Sequence, residues 1–419
     1  MTPAARLQAA IDILESLEAT AQPADRFLRD WFRARRYAGS KDRAAVAERV
    51  YAVLRHRASY AWRMGEGARA AVIASLLADG GEAMDALFAG QAYGPAPLSA
   101  TERARLIAPP TDDPPLSVKG EYPPFLEEEL RRAFGERLLE EMLALQSRAP
   151  IDLRVNALKA GRADVLSRLK AEDFDAVPTR YSPFAIRVAP GAKGLERTEA
   201  FADGLFEFQD EASQIAALLC GARAGMRVLD LAAGAGGKAL ALAAAMNNAG
   251  EILAFDDNAE RLKPLAERAA RAGAGNITIA TKRGGPLWRD GKFDLVLIDA
   301  PCSGTGTWRR QPELRWRITL EKLAALTKTQ DELLDDGARH VRPGGWLVYA
   351  TCSLLPSENE DRIARFLAAH ADFAAIPAAN AWREAVGTPP PSGLVQFFRA
   401  SPLSTGTDGF FTAVLQRAR

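Results

Sequence analysis

The run Arg227-Val-Leu-Asp230-Leu-Ala-Ala-Gly234-Ala-Gly236-Gly237-Lys238 decides the fold. A short Val/Leu strand ends at Asp230, and a loop with three glycines leads into an Ala/Leu-rich helix. Glycine at such a junction lets the backbone approach a ligand at the helix N-terminus. The next apolar run, EILAFD (251–256), ends in Asp256, where a carboxylate can accept both hydroxyls of a ribose. NITIAT (276–281), FDLVLID (293–299) and GWLVYAT (345–351) follow, with amphipathic stretches such as Ala259–Ala272 and Leu320–His340 between strands. This alternation predicts an α/β, doubly wound parallel sheet with helices on both faces. LVQFFRAS (394–401) and GFFTAVLQR (409–417) read as a terminal antiparallel hairpin.

Upstream, the patterning differs. Leu7, Ile11, Leu14 and Leu17 keep the three-to-four spacing of a buried helical stripe, as do Val46, Val50, Val53 and Leu54. Helical patterning continues through 68–77 and 83–89, and six prolines then fall between Pro109 and Pro124. Proline removes backbone donors and resists helix, so a linker is expected there. Beyond it a helix (Leu126–Gln146), strand-like Ile151–Val155, Arg187–Val188 and Leu205–Phe208, and a helix at Ala163–Leu169 suggest a small α+β unit. At about 150 residues per domain, 419 residues suit two or three. The expected boundaries are an all-α domain with its linker at 1–119, the linking domain at 120–210 and the catalytic domain at 211–419.

With 48% hydrophobic and 26% charged residues, the composition is globular rather than disordered. No apolar run approaches the ~18 residues of a membrane span. Asp12 and Glu15 interrupt the first apolar stretch, which excludes a secretory core. Three cysteines (Cys220, Cys302, Cys352) make no disulfide framework, and three scattered histidines assemble no zinc site. A reduced, cytoplasmic, metal-free monomer with no membrane partner is therefore expected. The near-neutral total charge conceals a basic stripe: eleven Lys/Arg against three acids between Arg26 and Arg63. Trp31, Phe32, Tyr37, Tyr51, Tyr60 and Trp62 interleave with it, a pattern suited either to nucleic acid or to a solvated helical face over core aromatics. Arg33, Arg35 and Arg36 are the stripe's candidate RNA contacts.

Two cysteines flank the predicted ligand crevice. Cys302 follows the fourth strand in Asp299-Ala-Pro-Cys302-Ser-Gly-Thr-Gly, and Cys352 follows the fifth in Ala-Thr351-Cys352-Ser. In the usual doubly wound order those strands are neighbours, so the thiols converge at their carboxyl ends. Cys220, in an apolar helix end, reads as core. The glycine loop alone suits a dinucleotide or S-adenosylmethionine (AdoMet); the late antiparallel hairpin resembles the AdoMet-dependent methyltransferase fold. A thiol beside a methyl donor points to cytosine C5. That carbon is too electron-poor to attack a sulfonium methyl until a thiolate adds to C6.

Asp299-Ala-Pro-Cys302-Ser-Gly-Thr-Gly and Thr351-Cys352-Ser-Leu-Leu-Pro-Ser-Glu-Asn-Glu360 resemble the cysteine motifs of the Sun/NOP/Fmu (RsmB-like) RNA 5-methylcytosine methyltransferases. Leu153-Arg-Val-Asn156-Ala-Leu-Lys159, Phe208-Gln-Asp-Glu211-Ala-Ser213 and Asp408-Gly-Phe-Phe411 are similar to further landmarks, and the basic helices to a NusB-type RNA-binding domain. The resemblance implies Cys352 as nucleophile, Cys302 for release of the product and Asp299 against both cytosine and cofactor. It implies AdoMet held by Asp230, Ala232, Ala233, Gly234, Ala235, Gly236, Gly237, Lys238, Asp256 and Asp299. RNA is expected to meet Arg154, and also Arg309 and Arg310 in Trp308-Arg-Arg-Gln-Pro-Glu-Leu-Arg-Trp316-Arg317, where arginine and tryptophan can stack on bases.

Two positions depart from the family. Ala235 replaces the loop's usual proline, and Thr281-Lys-Arg283-Gly284-Gly285 lacks the acidic residue expected near adenine. The substrate implied is small-subunit ribosomal RNA. Transfer RNA with the same chemistry, or a non-catalytic ribosome-assembly factor, are the alternatives.

Overall fold

The computed structural model describes residues 1–81, 84–284, 288 and 292–419; Ala83, where the last helical stretch begins, and Gly285 lie outside the described residues. The chain divides into two compact units, residues 1–147 with 308–317, and residues 148–307 with 318–419.

The first unit is helical. Its opening helix, Pro3–Glu18, starts where Thr2 accepts from the Ala5 amide and proline takes the first position, which needs no donor. Helices Ala24–Arg33, Ser40–Arg55, Arg57–Met64 and Ala68–Ala78 pack with it around Ile13, Val50, Val72 and Phe88. All eight residues of the two predicted stripes are buried. The helix expected at Leu126–Gln146 is broken at Gly135 (φ 57°) into Glu127–Phe134 and Leu138–Ala144, and both pieces belong to this unit.

Residues 308–317 complete the helical unit, and they correct an expectation. Trp308 and Arg315 are fully buried and Arg309 nearly so, while Arg310 is half-buried. Arg315 Nη1 donates to the Arg55 carbonyl at 3.2 Å, Trp316 Nε1 to Leu54 at 3.0 Å and Arg317 Nη1 to Gln22 at 3.0 Å. Leu54 and Arg55 end the helix Ser40–Arg55, where the last carbonyls have no partner within the helix. The guanidinium and indole donors fill that need. Glu313 does the reverse, accepting the amide of Ala24 at 3.0 Å at the start of the helix Ala24–Arg33. This segment caps helices, and Arg309, buried within it, is withdrawn as an RNA contact.

The second unit holds two sheets. The smaller has strands β1 (Ile151–Val155), β2 (Ala176–Pro178), β3 (Ala185–Val188) and β4 (Phe206–Phe208) in the antiparallel order β2-β3-β1-β4. The helix Arg162–Ala171 contributes Val165 and Leu169 to its core. The three-residue β2 carries no alternating pattern in the sequence.

The larger sheet comprises β5 (Arg227–Asp230), β6 (Glu251–Phe255), β7 (Ile277–Ala280), β8 (Phe293–Asp299), β9 (Val341–Thr351), β10 (Phe373–Ile376), β11 (Phe398–Ala400) and β12 (Phe410–Arg417). Its order is β10-β12-β9-β8-β5-β6-β7, with β11 paired to β12. Strands β5 to β9 are mutually parallel where they pair, and their inner residues Val228, Leu229, Leu297 and Leu347 are fully buried, as a sheet covered on both faces requires. The expected hairpin is present as β11–β12, but β12 does more. It pairs antiparallel with β9 from Phe411↔Thr351 to Gln416↔Trp346 and with β10 on its other side.

Candidate active site

The switch in strand order at β5, between β6 and β8, opens a crevice at the carboxyl ends of these strands. The loop leaving β5 turns through Gly234 (φ 52°) and Gly236 (φ 80°) into the helix Gly237–Ala245. A Cβ on Gly236 would lie 2.1 Å from Leu265 Cδ1, so only glycine lets the loop pack there. Asp256 Oδ2 accepts the Gly234 amide at 3.0 Å and pairs with Arg261 at 3.1 Å, which fixes the end of β6 against the loop. Lys238 Nζ, buried under the loop, lies 2.6 Å from Asp299 Oδ2 and over the ring of Phe410.

Asp230 is fully buried and its carboxylate makes no hydrogen bond to another side chain. Burial, then the negative charge of Asp299, push its carboxyl up to about 7, while Lys238 opposes them. The loop therefore gathers three carboxylates, Asp230, Asp256 and Asp299, against two cations, Lys238 and Arg261. A ligand with ammonium and sulfonium charges and a ribose suits this set, so the residues present fit AdoMet.

Sequence reasoning missed the props behind this loop. Arg268 Nη1 donates to the Ala235 carbonyl at 2.6 Å, tying down the position where the family has proline. Arg154, expected on RNA, is buried. Its Nη1 donates to both Gln209 Oε1 and the Gly237 carbonyl at 2.5 Å. Arg154 is thus a prop of the cofactor loop, not a phosphate contact. Its two landmark neighbours act alike: Asn156 Nδ2 donates to the Gly204 and Ala272 carbonyls, and Lys159 Nζ to those of Asp203 and Arg271. In the place of the missing acidic residue, Arg283 pairs with Asp257 and Asp336.

The two thiols meet. Strands β8 and β9 are paired as far as Asp299↔Ala350, and the Ala300 amide continues the ladder to the Ala350 carbonyl at 2.9 Å. Each chain then turns into its cysteine loop, leaving Cys302 Sγ 3.4 Å from Cys352 Sγ, both half-buried. The hydrogen bond with Cys352, burial and the charge of Glu358 push the Cys302 thiol well up. The two sulfurs are within hydrogen-bonding reach of one another, and either can be the donor. Gly306 donates to the Cys352 carbonyl at 2.9 Å and accepts the Gly409 amide at 2.8 Å. The Asp408 amide in turn donates to the Asp210 carboxylate at 3.1 and 3.2 Å. Cys220 is plain core, fully buried, as its apolar setting implied. Of the basic stripe, Arg33 and Arg36 are exposed, whereas Arg35 is half-buried over the Trp31 ring. Among the described residues no group of three or more His, Cys, Asp or Glu is arranged to hold a metal, and no helix is long and apolar enough to cross a membrane.

An antiparallel strand inserted beside β9, a glycine loop after β5 and carboxylates lining the crevice define a methyltransferase of the AdoMet-dependent α/β class. The family model described as 16S rRNA methyltransferase RsmB/F matches residues 217–416, and the RsmF/B-like ferredoxin-like domain matches 122–193. A probable ribosomal RNA small subunit methyltransferase B of Synechocystis sp. is 33% identical over 304 residues, 71% of this chain and 67% of that one. The chain belongs to the RsmB/F methyltransferase family, and it spans about two thirds of the length of the curated relatives it matches. The crystal structure of PH0851 is similar over the whole chain (TM-score 0.77, 25% identity, 100% of this chain and 99% of that one). A methyltransferase homologue from Pyrococcus horikoshii is similar over 72% of this chain and 97% of its own (TM-score 0.61, 28% identity).

Proposed function

We propose that the protein methylates C5 of a cytosine in small-subunit ribosomal RNA. The observation that carries this reading is the 3.4 Å approach of Cys302 and Cys352 beside the Lys238–Asp299 pair. The relatives' names support the substrate. AdoMet, held by residues 232–238 with Asp230, Asp256 and Asp299, supplies the electrophilic methyl group.

The Sγ of Cys352 adds to C6 of the flipped base, and the ring electrons move to C5, which then takes the methyl. Asp299, held by Lys238, faces the cytosine edge. Solvent water takes the C5 proton, the C–H electron pair re-forms the C5–C6 double bond, and the C6–Sγ bond breaks to release Cys352 as the thiolate, with Cys302 Sγ 3.4 Å away to assist its departure. Residues 1–119 act as a NusB-like RNA-binding domain, with Arg33 and Arg36 on phosphates, and 120–210 as the linking domain.

The test compares Cys302→Ala with Cys352→Ala for a covalent protein–RNA adduct in the presence of AdoMet. The Cys302 variant accumulates adduct and the Cys352 variant forms none. Adduct on the Cys352 variant alone exchanges the two roles, and no methyl incorporation into unmodified ribosomal RNA by the wild type removes the reading.

A further inference from the structure

Glu358 lies six residues beyond Cys352, fully buried, and its carboxylate gathers four donors. Oε1 accepts the Ser303 amide at 2.8 Å and Gln330 Nε2 at 3.0 Å. Oε2 accepts the Ser353 hydroxyl at 2.5 Å and the Ser303 hydroxyl. Ser303 and Ser353 are the residues immediately after the two reactive cysteines. An ionised carboxylate has about four lone-pair sites, so this one is filled. The Ser303 and Ser353 hydroxyl oxygens also lie 3.3 Å apart, so both hydroxyls and the carboxylate form one cluster. The carboxylate is the joint.

The neighbours of Glu358 extend the hold. Gln330 also donates to the Pro301 carbonyl at 2.9 Å, just before Cys302. Asn359 accepts the Thr351 hydroxyl at 2.6 Å and donates to the Ser353 carbonyl at 3.0 Å, bracketing Cys352. The Tyr349 hydroxyl donates to the Glu358 carbonyl at 2.7 Å, which fastens this turn to β9. Beyond Ala300 the two loops are joined directly by the Gly306 amide to the Cys352 carbonyl at 2.9 Å and the Leu354 amide to Thr305 Oγ1 at 2.7 Å, and Glu358 adds the tie nearest both sulfur-bearing turns.

We propose that Glu358 is a positioning residue that sets the separation of Cys302 and Cys352 by clamping Ser303 and Ser353 to one carboxylate. The clamp rests on the two-thiol chemistry above for its purpose but not for its geometry. A displacement of about 1 Å at reacting atoms costs on the order of a hundredfold in rate, so a buried tie of this kind has catalytic consequence without touching substrate.

The experiment uses the full chain with Glu358→Gln and Glu358→Ala. Diamide accepts the two thiol protons and two electrons as the sulfurs join, and the rate of Cys302–Cys352 disulfide formation reports their proximity without RNA or AdoMet. Disulfide formation is expected to slow by about tenfold or more in Glu358→Ala, with kcat falling and KM for AdoMet unchanged. Glu358→Gln, which keeps one acceptor oxygen, falls between it and the wild type. A disulfide rate equal to the wild type's in a folded variant overturns the clamp, whatever happens to activity. If removing the carboxylate prevents folding, the single variant Ser303→Ala cuts one hydroxyl tie to the carboxylate and leaves the Thr305 and Leu355 contacts of Ser353 in place; slowed pairing supports the clamp and unchanged pairing overturns it. A wild type that forms no RNA adduct, yet pairs its thiols in a Glu358-dependent way, removes the cytosine reading and leaves the clamp standing.

Discussion

The guanidinium of Arg154, on an interior strand of the four-stranded sheet, donates to the carbonyl of Gly237 at 2.5 Å, at the first turn of the helix that closes the cofactor loop. The same nitrogen reaches Gln209, and burial pulls the guanidinium down to about 10. Arg154→Ala is expected to raise KM for AdoMet by about tenfold, the cost of one charge-assisted hydrogen bond, and to leave the salt dependence of RNA binding unaltered. A reduced salt slope with normal AdoMet affinity would return Arg154 to the RNA interface.

Arg33 and Arg36 are exposed, and Arg309 is buried with the helical unit. Arg33→Glu with Arg36→Glu should weaken RNA binding and lower the slope of log affinity against log salt by about 2, one per lost phosphate contact. Arg309→Glu places a reversed charge in a buried site, and thermal unfolding should show a loss of about 3 kcal/mol or more. Native stability for the Arg309 variant would place that side chain back on the surface.

Asp230 titrates near neutrality because it is buried beside Asp299. Its folded pKa is raised above the unfolded one, so the folded state holds the proton more tightly between them. Its contribution to stability is fully present below the unfolded value of about 4 and is lost as pH rises through about 7, by at most about 1.4 kcal/mol per pH unit. Without AdoMet, Asp230→Asn should therefore remove a fall in melting temperature that the wild type shows between pH 5 and pH 7. Parallel pH profiles for the two proteins would show that Asp230 does not titrate there.

Gly306 meets the backbone of Gly409 so closely that an added Cβ would sit 2.1 Å from the Gly409 oxygen. No rotamer relieves a clash between backbones. Gly306→Ala should cost about 3 kcal/mol, measured by denaturant unfolding, and should disturb the Cys302 loop enough to suppress the RNA adduct. Full stability in that variant would mean that the two loops do not cross this tightly.

The parallel sheet was legible because β5, β6, β8 and the second half of β9 are short apolar runs rich in Val, Ile and Leu, which the covered centre of such a sheet demands. The meeting of Cys302 with Cys352 was legible for the same reason, since neighbouring parallel strands deliver whatever follows them to one edge. Charged residues misled. Arginine in a sequence reads as surface, yet Arg154, Arg309 and Arg315 are buried, where backbone carbonyls of a loop and of helix ends await donors. Nothing in the spacing of residues 308–317 announces that helices some 250–300 positions upstream lack caps. The four-residue β10 was silent too, because Phe373-Ala-Ala-Ile376 is as compatible with a helix end as with an edge strand.

The placement of residues 308–317 has a consequence for how the polypeptide is made. Translation delivers all of 1–147 long before Trp308, and at roughly 5–20 residues per second the interval is on the order of ten seconds. Until then the C-terminal carbonyls of those helices lack the donors of Arg315, Trp316 and Arg317, and the unit reaches its final form only once residues 308–317 have been made.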